Sequence, residues 1–398
     1  MQVNARSTSH RHIDTSSAIG VVLWPMRFWT VCAGVVVLSA SLRPVMQLTV
    51  LSREFVYETA PFPSAHASTI VETNDGLVAA WFGGTAEKNP DVGIWVSRRS
   101  KGAWSAPIEV ADGKRPDGRR LPTWNPVLFL VPNGPLALFY KVGPSPSEWW
   151  GMVTASDVVE EIQPSVVAAG LQPRMTWQKP RRLPDGILGP IRAKPVLLDS
   201  GTILAGSSTE DAGWRAHMEF LRPRHVQQRT TNYASRRVTS DEWLARVTTA
   251  AAWTKTPPLN SPDEFGAIQP TVLVHSPKRL QILCRTEQQV IAESWSNDGG
   301  ATWSAMKATL LPNPSAGIDV VKLSNGLFVL AYNPSAENRH AIALSTSMDG
   351  VTWSAPTTIE EGPGEYSYPA IIQTHDGLVH MTYTWRRERI RHVVVKID

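Results

Sequence analysis

Cysteine is almost absent from this chain of 398 residues. The two that occur, Cys32 and Cys284, cannot supply a disulfide framework, so the fold depends on its hydrophobic core. Clusters of cysteine and histidine with metal-ligand spacing are missing too, and the sequence implies no metal and no organic cofactor. The chemistry of any site is therefore expected to come from ordinary side chains.

Excess charge is equally scarce. The formal net charge is +4, and most of it lies near the N-terminus, where Arg6, Arg11, Arg27 and Arg43 are opposed by a single acidic residue, Asp14. The remaining chain is close to neutral. This excludes nucleic acid as a partner recognised through a basic surface.

Long apolar runs are missing, with one exception. The stretch "FWTVCAGVVVLSASL" (Phe28–Leu42) follows Arg27 and ends in small residues, which is typical of a signal peptide or an uncleaved signal anchor. We therefore assign residues 1–45 to targeting and 46–398 to the folded domain. We expect a periplasmic or secreted protein, with membrane contact only through this segment if residues 19–42 remain as an anchor. A buried N-terminal helix is the alternative.

What the chain does contain is a repeat of two apolar strands joined by a short turn, often Asp-Gly, Asn-Gly or Ser-Gly, as β-hairpins prefer. The six hairpins begin at His66, Trp124, Ala193, Ile268, Ile318 and Tyr368. A third strand and a tryptophan follow each of the first five, at Trp104, Trp177, Trp253, Trp303 and Trp353. A period of about 50 residues in an all-β chain is typical of four-stranded propeller blades. We predict an all-β fold, a six-bladed β-propeller.

Some segments do not follow the repeat. The sixth repeat ends at Arg391–Ile397 without a fourth strand, whereas Gln47–Glu58 reads as a strand without a blade. We predict that these two segments pair and so close the ring. Glu160–Arg174 and Phe220–Ala251 lengthen the second and third repeats, and we interpret them as surface insertions.

Two turns carry a known motif. "SNDGGATWSA" begins at Ser296 and matches Ser-x-Asp-x-Gly-x-Thr-Trp fully, and "SMDGVTWSAP" from Ser347 is one residue short. This motif is the Asp-box of the sialidase superfamily, which the chain resembles over residues 46–398. It is similar in particular to bacterial proteins described as predicted neuraminidases, which share "AWFGGT", "YKVGPSPSEWWG" and "GEYSYPA". The resemblance implies a sialidase-like propeller and a glycan or oligosaccharide substrate.

The resemblance also implies site residues. Sialidases hold a sugar carboxylate with three arginines, attack with a tyrosine assisted by a glutamate, and protonate the leaving group with an aspartate. Carried over by motif, Tyr366 is the nucleophile, and Arg285 and Arg339 are two of the arginines. Two guanidinium forks can hold a carboxylate bidentately. Packing at a strand start, or salt bridges between blades, are the alternatives.

At three family positions the chain has other residues. His66 stands where the first arginine is expected, and a histidine there can act as acid or base near neutral pH. Gln269 stands in register with the assisting glutamate, with Glu264 slightly earlier as the alternative. The acid is expected to be either Glu87 or Asp91.

Other residues complete the predicted substrate-binding set. They are Asp319, Lys194, Asn125 and Tyr368. Aromatic residues on the same loops or strand ends either stack on sugars or pack in the core, namely Trp124, Trp149, Trp150 and Trp385.

Three functions fit this pattern. The first is an exo-acting glycoside hydrolase of sialidase type that removes a terminal, acidic sugar. The second is a polysaccharide lyase, or a glycosidase dependent on His66, acting on uronate-containing glycans. The third is a propeller that binds carbohydrate without turnover. A lyase would give products that absorb in the near ultraviolet from a new double bond, and a hydrolase would not.

Overall fold

The computed structural model describes residues 47–157, 175–222 and 237–398. The predicted signal or anchor segment and the predicted insertion at 160–174 lie outside these residues, as does part of the second predicted insertion. Within the described ranges, no helix has the length and the apolar character needed to cross a membrane.

The described residues contain 25 β-strands and one α-helix. The strands of the first half are β1 (Leu48–Phe55), β2 (Ser64–Thr73), β3 (Gly76–Gly84), β4 (Gly93–Ser100), β5 (Ala103–Trp104), β6 (Ile108–Ala111), β7 (Thr123–Leu130), β8 (Leu136–Val142), β9 (Trp150–Ser156), β10 (Arg181–Arg182), β11 (Val196–Leu197), β12 (Ile203–Thr209) and β13 (Arg215–Leu221). The helix is α1 (Ser240–Val247). The remaining strands are β14 (Trp253–Lys255), β15 (Ala267–Val274), β16 (Leu280–Thr286), β17 (Val290–Ser296), β18 (Lys307–Pro312), β19 (Asp319–Lys322), β20 (Phe328–Tyr332), β21 (Ala341–Ser347), β22 (Thr357–Glu361), β23 (Tyr366–Gln373), β24 (Val379–Trp385) and β25 (Arg389–Ile397).

These strands form six antiparallel sheets, one for each predicted repeat. Blade 1 contains β2 to β6, with β5 and β6 both paired to β4, and blade 2 contains β7 to β10. Blades 3, 4 and 5 contain β11 to β14, β15 to β18 and β19 to β22, and blade 6 contains β23 to β25 together with β1. The predicted six-bladed propeller is confirmed.

The ring is closed by its first strand. β1 pairs antiparallel with β25, with Leu48 opposite Ile397 and Phe55 opposite Arg391. The predicted closure is therefore confirmed. It removes the unpaired edge that β25 would otherwise present, because an exposed edge strand is prone to pairing with other chains.

The Asp-box turns lie between the third and fourth strands of blades 4 and 5. In the first of them, the Asp298 carboxylate accepts hydrogen bonds from the Ser296 hydroxyl at 2.8 Å and from the backbone N–H of Thr302 at 2.9 Å. The indole N–H of Trp303 donates to the Gly300 carbonyl at 2.8 Å. These bonds satisfy the backbone of a tight turn, so the motif has a structural role here.

The hydrophobic core lies between neighbouring blades. Phe82 and Ile94 of blade 1, for example, pack with Leu138 and Tyr140 of blade 2. Each blade thus buries one face against the next blade, which the apolar strands of the repeat require.

The second predicted insertion is partly a core element. Its first residues continue β13 to Leu221, and α1 buries Trp243, Leu244 and Val247. The Trp243 ring meets Phe139 of blade 2 edge-on, with 5.7 Å between ring centres. In the described part, one face of α1 packs on blades 2 and 3 while the other face is exposed, so the segment lies at the surface and also adds to the core.

Candidate active site

The candidate site lies at the end of the ring where the inner strands begin, called the mouth below. Four inner strands, β2, β7, β15 and β23, start with a two-residue bulge in the pairing. The first bulged residue has a left-handed φ in each case: Ala67 (54°), Asn125 (44°), Gln269 (57°) and Tyr368 (54°). L-residues avoid this region, and bulges often redirect side chains near functional sites. Three of these four residues belong to the set predicted from the sequence.

Tyr368 lies at the centre of the site. Three guanidinium carbons approach its ring, those of Arg285 and Arg339 at 5.5 Å and that of Arg192 at 5.6 Å from the ring centre. Arg285, Arg339 and Arg192 are called the arginine cluster below. They come from blades 4, 5 and 3, so the propeller brings together cations that are far apart in the sequence.

A single carbonyl group fixes two members of the cluster. The Ser315 oxygen accepts hydrogen bonds from Arg285 at 2.8 Å and from Arg339 at 3.0 Å. Ser315 has a left-handed φ of 54°. Arg285 also lies 4.7 Å from the centre of the Trp214 ring, a cation–π contact. Two like charges are thus held side by side before any ligand arrives.

Arg192 is the member that sequence reasoning missed. It is only 2% exposed, and its Nη1 donates to the Ser68 carbonyl at 3.4 Å, while Nε and Nη2 have no hydrogen-bond partner among the residues that the structure describes. Burial lowers the pKa of Arg192 to about 10, although Asp319 and Tyr368 partly offset the effect. The available signal was an arginine directly before the third hairpin, in "GPIRAKP", where the sequence analysis favoured Lys194.

His66 packs against Tyr368, with 4.1 Å between the ring centres, and meets Phe82 edge-on. Neither ring nitrogen has a hydrogen-bond partner among the described residues. Burial, reinforced by the charges of Arg387 and the arginine cluster, holds the pKa of His66 well below its ordinary value. The imidazole is therefore neutral at neutral pH, and titration near the ordinary pKa is not expected in the free protein.

Glu365 connects the cluster to blade 1. It accepts hydrogen bonds from Arg339 at 3.1 Å, from the Ser367 hydroxyl, and from Arg387 at 2.7 Å. Burial raises the pKa of Glu365, but the bonds from Arg387 and Ser367 outweigh it and the pKa lies below its usual range. Arg387 also binds Glu87. A chain of ion pairs thus runs from Arg339 to Glu87, and the sequence analysis missed Glu365 and Arg387 within it.

The two acids predicted from the sequence are both engaged by protein groups. Glu87 is paired with Arg387. Asp91 accepts hydrogen bonds from the backbone N–H and the hydroxyl of Thr85, at 2.8 and 2.9 Å, and so shapes the loop between β3 and β4. Of the two, Glu87 is the one connected to the arginine cluster.

Other predicted residues lie outside the cluster. Tyr366 is buried, its hydroxyl donates to the Pro363 carbonyl at 3.4 Å, and its ring packs near Trp385. Gln269 is buried, and its Oε1 has no hydrogen-bond partner in the ranges described above. Asn125 is also buried, next to Trp124, which lies in the core with Trp149.

Asp319 and Lys194 form an ion pair of 2.8 Å inside the ring. The same Asp319 carboxylate accepts from the Thr271 hydroxyl at 3.1 Å and from the backbone N–H of Ile371 at 2.9 Å. These contacts join blades 3, 4, 5 and 6. These donors to the Asp319 carboxylate are protein groups from three other blades. The geometry therefore supports a role in holding the ring together rather than in binding substrate.

Metal ligation has no visible basis in the part of the chain that the structure describes. No three His, Cys, Asp or Glu side chains lie close enough together there to hold an ion.

Comparison with known proteins supports the fold. The BNR repeat-like domain model matches residues 75–381. A protein of unknown function from Dyadobacter fermentans is 14% identical, with a TM-score of 0.60, over 88% of this chain and 99% of that chain. A Hadza microbial sialidase is 17% identical, with a TM-score of 0.62, over 83% of this chain and 65% of that chain. A Trypanosoma rangeli sialidase in complex with the inhibitor DANA is 13% identical, with a TM-score of 0.58, over 84% and 55% of the two chains. No curated protein matches the sequence.

These comparisons show the fold class and the family of the chain. At such low identities the structural likeness shows the fold alone, and the chain spans only 65% and 55% of the lengths of the two sialidases. The fold is that of a sialidase-like six-bladed propeller. The chain belongs to the family of proteins with a BNR repeat-like domain.

Proposed function

We propose that the protein is a glycoside hydrolase that removes a terminal anionic sugar from glycans. The observation that carries the proposal is the placement of three guanidinium groups around the Tyr368 ring. Arg192 and Arg285 keep buried N–H groups that have no partner within the described part of the chain. A sugar carboxylate would satisfy these donors and compensate the buried charge, whereas a neutral sugar would leave the charge uncompensated.

In this proposal Tyr368, rather than Tyr366, attacks the anomeric carbon. A neutral phenol is repelled less by the substrate carboxylate than an acidic side chain would be, and a base can activate it. His66 is the adjacent unpaired acceptor and takes the phenol proton. The substrate carboxylate offsets the arginine charges that depress the pKa of His66, so substrate binding makes the histidine a better base.

The bonds then change in two steps. The glycosidic C–O bond breaks while a bond forms between the Tyr368 oxygen and the sugar, and an acid at the mouth protonates the departing oxygen. Water next attacks the same carbon and gives its proton to the conjugate base of that acid. The tyrosine oxygen leaves and recovers its proton from His66.

The test is a panel of aryl glycosides that carry either a carboxylate sugar or its neutral counterpart, offered to the full-length protein. We expect release of the aryl group only from sugars with the carboxylate. Equal turnover of the neutral counterparts, or turnover of neither, would contradict the proposal.

A second candidate, β-elimination in a uronate-containing glycan, is favoured by two observations. Gln269 stands where a sialidase has its glutamate, and the neutral His66 lies beside Tyr368. In this case His66 would remove the proton next to the carboxylate, the arginine cluster would stabilise the resulting charge, and Tyr368 would protonate the leaving oxygen. Near-ultraviolet absorption of the product would identify this reaction and exclude hydrolysis.

A further inference from the structure

A separate cleft of about 220 Å³ opens at the mouth between blades 2 and 3. Among its lining residues are Trp149, Trp150, Arg182 and Glu210. Glu210 begins the loop that ends in Trp214, the ring on which Arg285 stacks at 4.7 Å. The cleft therefore adjoins the arginine cluster without sharing its residues.

The lining is suited to a neutral sugar ring. Trp149 is 9% exposed, and its indole N–H has no partner in the described residues. Trp150 supplies a second aromatic ring, with Arg182 over it at 5.2 Å. Aromatic faces combined with a few polar groups are typical of carbohydrate and other small-molecule sites. The volume lies below the range of about 300–1,000 Å³ for drug-sized ligands, which suggests a single ring.

Glu210 stands out among the carboxyl groups at the mouth. Burial raises its pKa, the charge of Arg285 lowers it, and Glu287 raises it, with a net upward shift. A raised pKa favours a carboxyl group as a general acid, because a larger fraction of the group carries the proton at any given pH. Glu87, by contrast, already pairs with Arg387.

We infer that this cleft binds the sugar on the leaving-group side of the cleaved bond, and that Glu210 donates the proton to the departing oxygen. The inference rests on the proposed hydrolysis. As the glycosidic C–O bond breaks, the Glu210 proton moves to the leaving oxygen, and the carboxylate later takes a proton from the attacking water. The leaving sugar occupies the cleft while the anionic sugar is held by the arginine cluster.

The test of the acid uses two substrates with the same anionic sugar, one with a nitrophenyl leaving group and one with a neutral hexose. An aryl leaving group needs little protonation. We therefore expect Glu210→Gln to lower kcat on the disaccharide by about 100-fold or more and to change kcat on the aryl glycoside only a few-fold. Asp199→Asn changes an exposed carboxylate in the turn between β11 and β12, at the other end of blade 3, and should match the wild type on both. Equal losses on the two substrates would overturn the role of Glu210.

The test of the cleft uses Trp150→Ala. We expect KM for the disaccharide to rise about tenfold with KM for the aryl glycoside unchanged, and Trp150→Phe to restore most of the affinity. An equal rise for both substrates, or none, would overturn the cleft. If the wild type hydrolyses neither substrate, the proposed function fails. The role of the cleft can then be tested by itself, by calorimetry of the wild type and of Trp150→Ala with the disaccharide and with the methyl glycoside. The substitution should weaken binding of the disaccharide and leave binding of the methyl glycoside unchanged.

Discussion

The guanidinium carbon of Arg192 lies 5.6 Å from the centre of the Tyr368 ring, although the two residues belong to the third and sixth blades. The sialidase motif led us to expect the first arginine at the start of the first blade, where this chain has His66. Arg192 brings a third cation to the same ring from another direction. The chain thus has three arginines around the tyrosine, from blades 3, 4 and 5.

The first prediction tests this arginine. Arg192→Ala should lower kcat/KM for an anionic glycoside by about 10- to 100-fold, because a buried charge-assisted contact with the carboxylate is lost. Arg192→Lys should recover only part of the loss, since an ammonium group lacks the fork of a guanidinium. Arg279→Ala removes an arginine that stacks on Trp295, away from the site, and should have no effect on steady-state kinetics.

The second prediction separates the two tyrosines. Tyr368→Phe keeps the ring among the arginines but removes the attacking oxygen, so turnover should fall by at least about 100-fold. Tyr366→Phe removes a hydroxyl that contacts the Pro363 carbonyl and Arg386, and should keep most of the turnover. The opposite result would show that Tyr366 is the nucleophile, as the family motif implies. Circular dichroism of both variants checks the fold.

The difference between these tyrosines shows how far the sequence could predict the site. The repeat, the six blades and the closing strand follow from patterns of turns and apolar strands, which are local. The motif "YSYPA" predicted Tyr366 as the nucleophile, whereas the choice of Tyr368 in the proposed function comes from its position among the arginines. That choice depends on the bulge at Tyr368, whose left-handed φ of 54° changes the direction of the side chain.

Arg192 and Glu365 were missed for a related reason. Arg192 precedes β11, a strand of only two residues, so the inner strand of the third blade was hard to align with the others. Glu365 lies in a connection, and its importance comes from two arginines at positions 339 and 387 that reach it from different blades. Long-range contacts of this kind leave no pattern in a single sequence.

The third prediction concerns Gly317, which allows the cluster to pack closely. A Cβ atom added there would lie 3.0 Å from the Arg192 Nε and 3.1 Å from the Tyr368 Cδ1. Gly317→Ala should therefore displace both side chains and lower kcat/KM by about tenfold or more, because small misplacements at a reacting centre are costly. Gly134→Ala is the control, since its Cβ would contact Val131 in a distant hairpin and should affect only the melting temperature. Loss of activity in both variants would indicate a general loss of stability instead.

The fourth prediction concerns acid and the closure of the ring. A hydrogen bond of 2.9 Å joins the rings of His380 and His392, and the His392 ring in turn contacts the Glu54 carboxylate of β1 at 2.9 Å. Glu54 also pairs with Arg99 of blade 1 at 2.7 Å. Burial and the neighbouring His392 lower the pKa of His380 to about 4, and burial lowers the pKa of His392 despite its bond to Glu54. Burial alone would raise the pKa of Glu54, but His392 and Arg99 lower it to about 2.

All three groups bind protons less readily in the folded protein than in the unfolded chain, so their contribution to stability is present at neutral pH and is lost as the pH falls. The loss should begin near pH 6.5 through the histidines, and continue below about 4.5 through Glu54. The free energy of unfolding, measured from pH 7 to pH 3, should fall over this range, and hydrogen exchange in β1 should increase first.

Glu54→Gln should be less stable at pH 7 and show a shallower decline below pH 4.5, because the amide does not titrate. His340→Gln, at an exposed position, should follow the wild type. If the Glu54→Gln curve ran parallel to the wild-type curve below pH 4.5, or if β1 exchanged no faster at pH 5 than at pH 7, the closing strand would not be the acid-sensitive element.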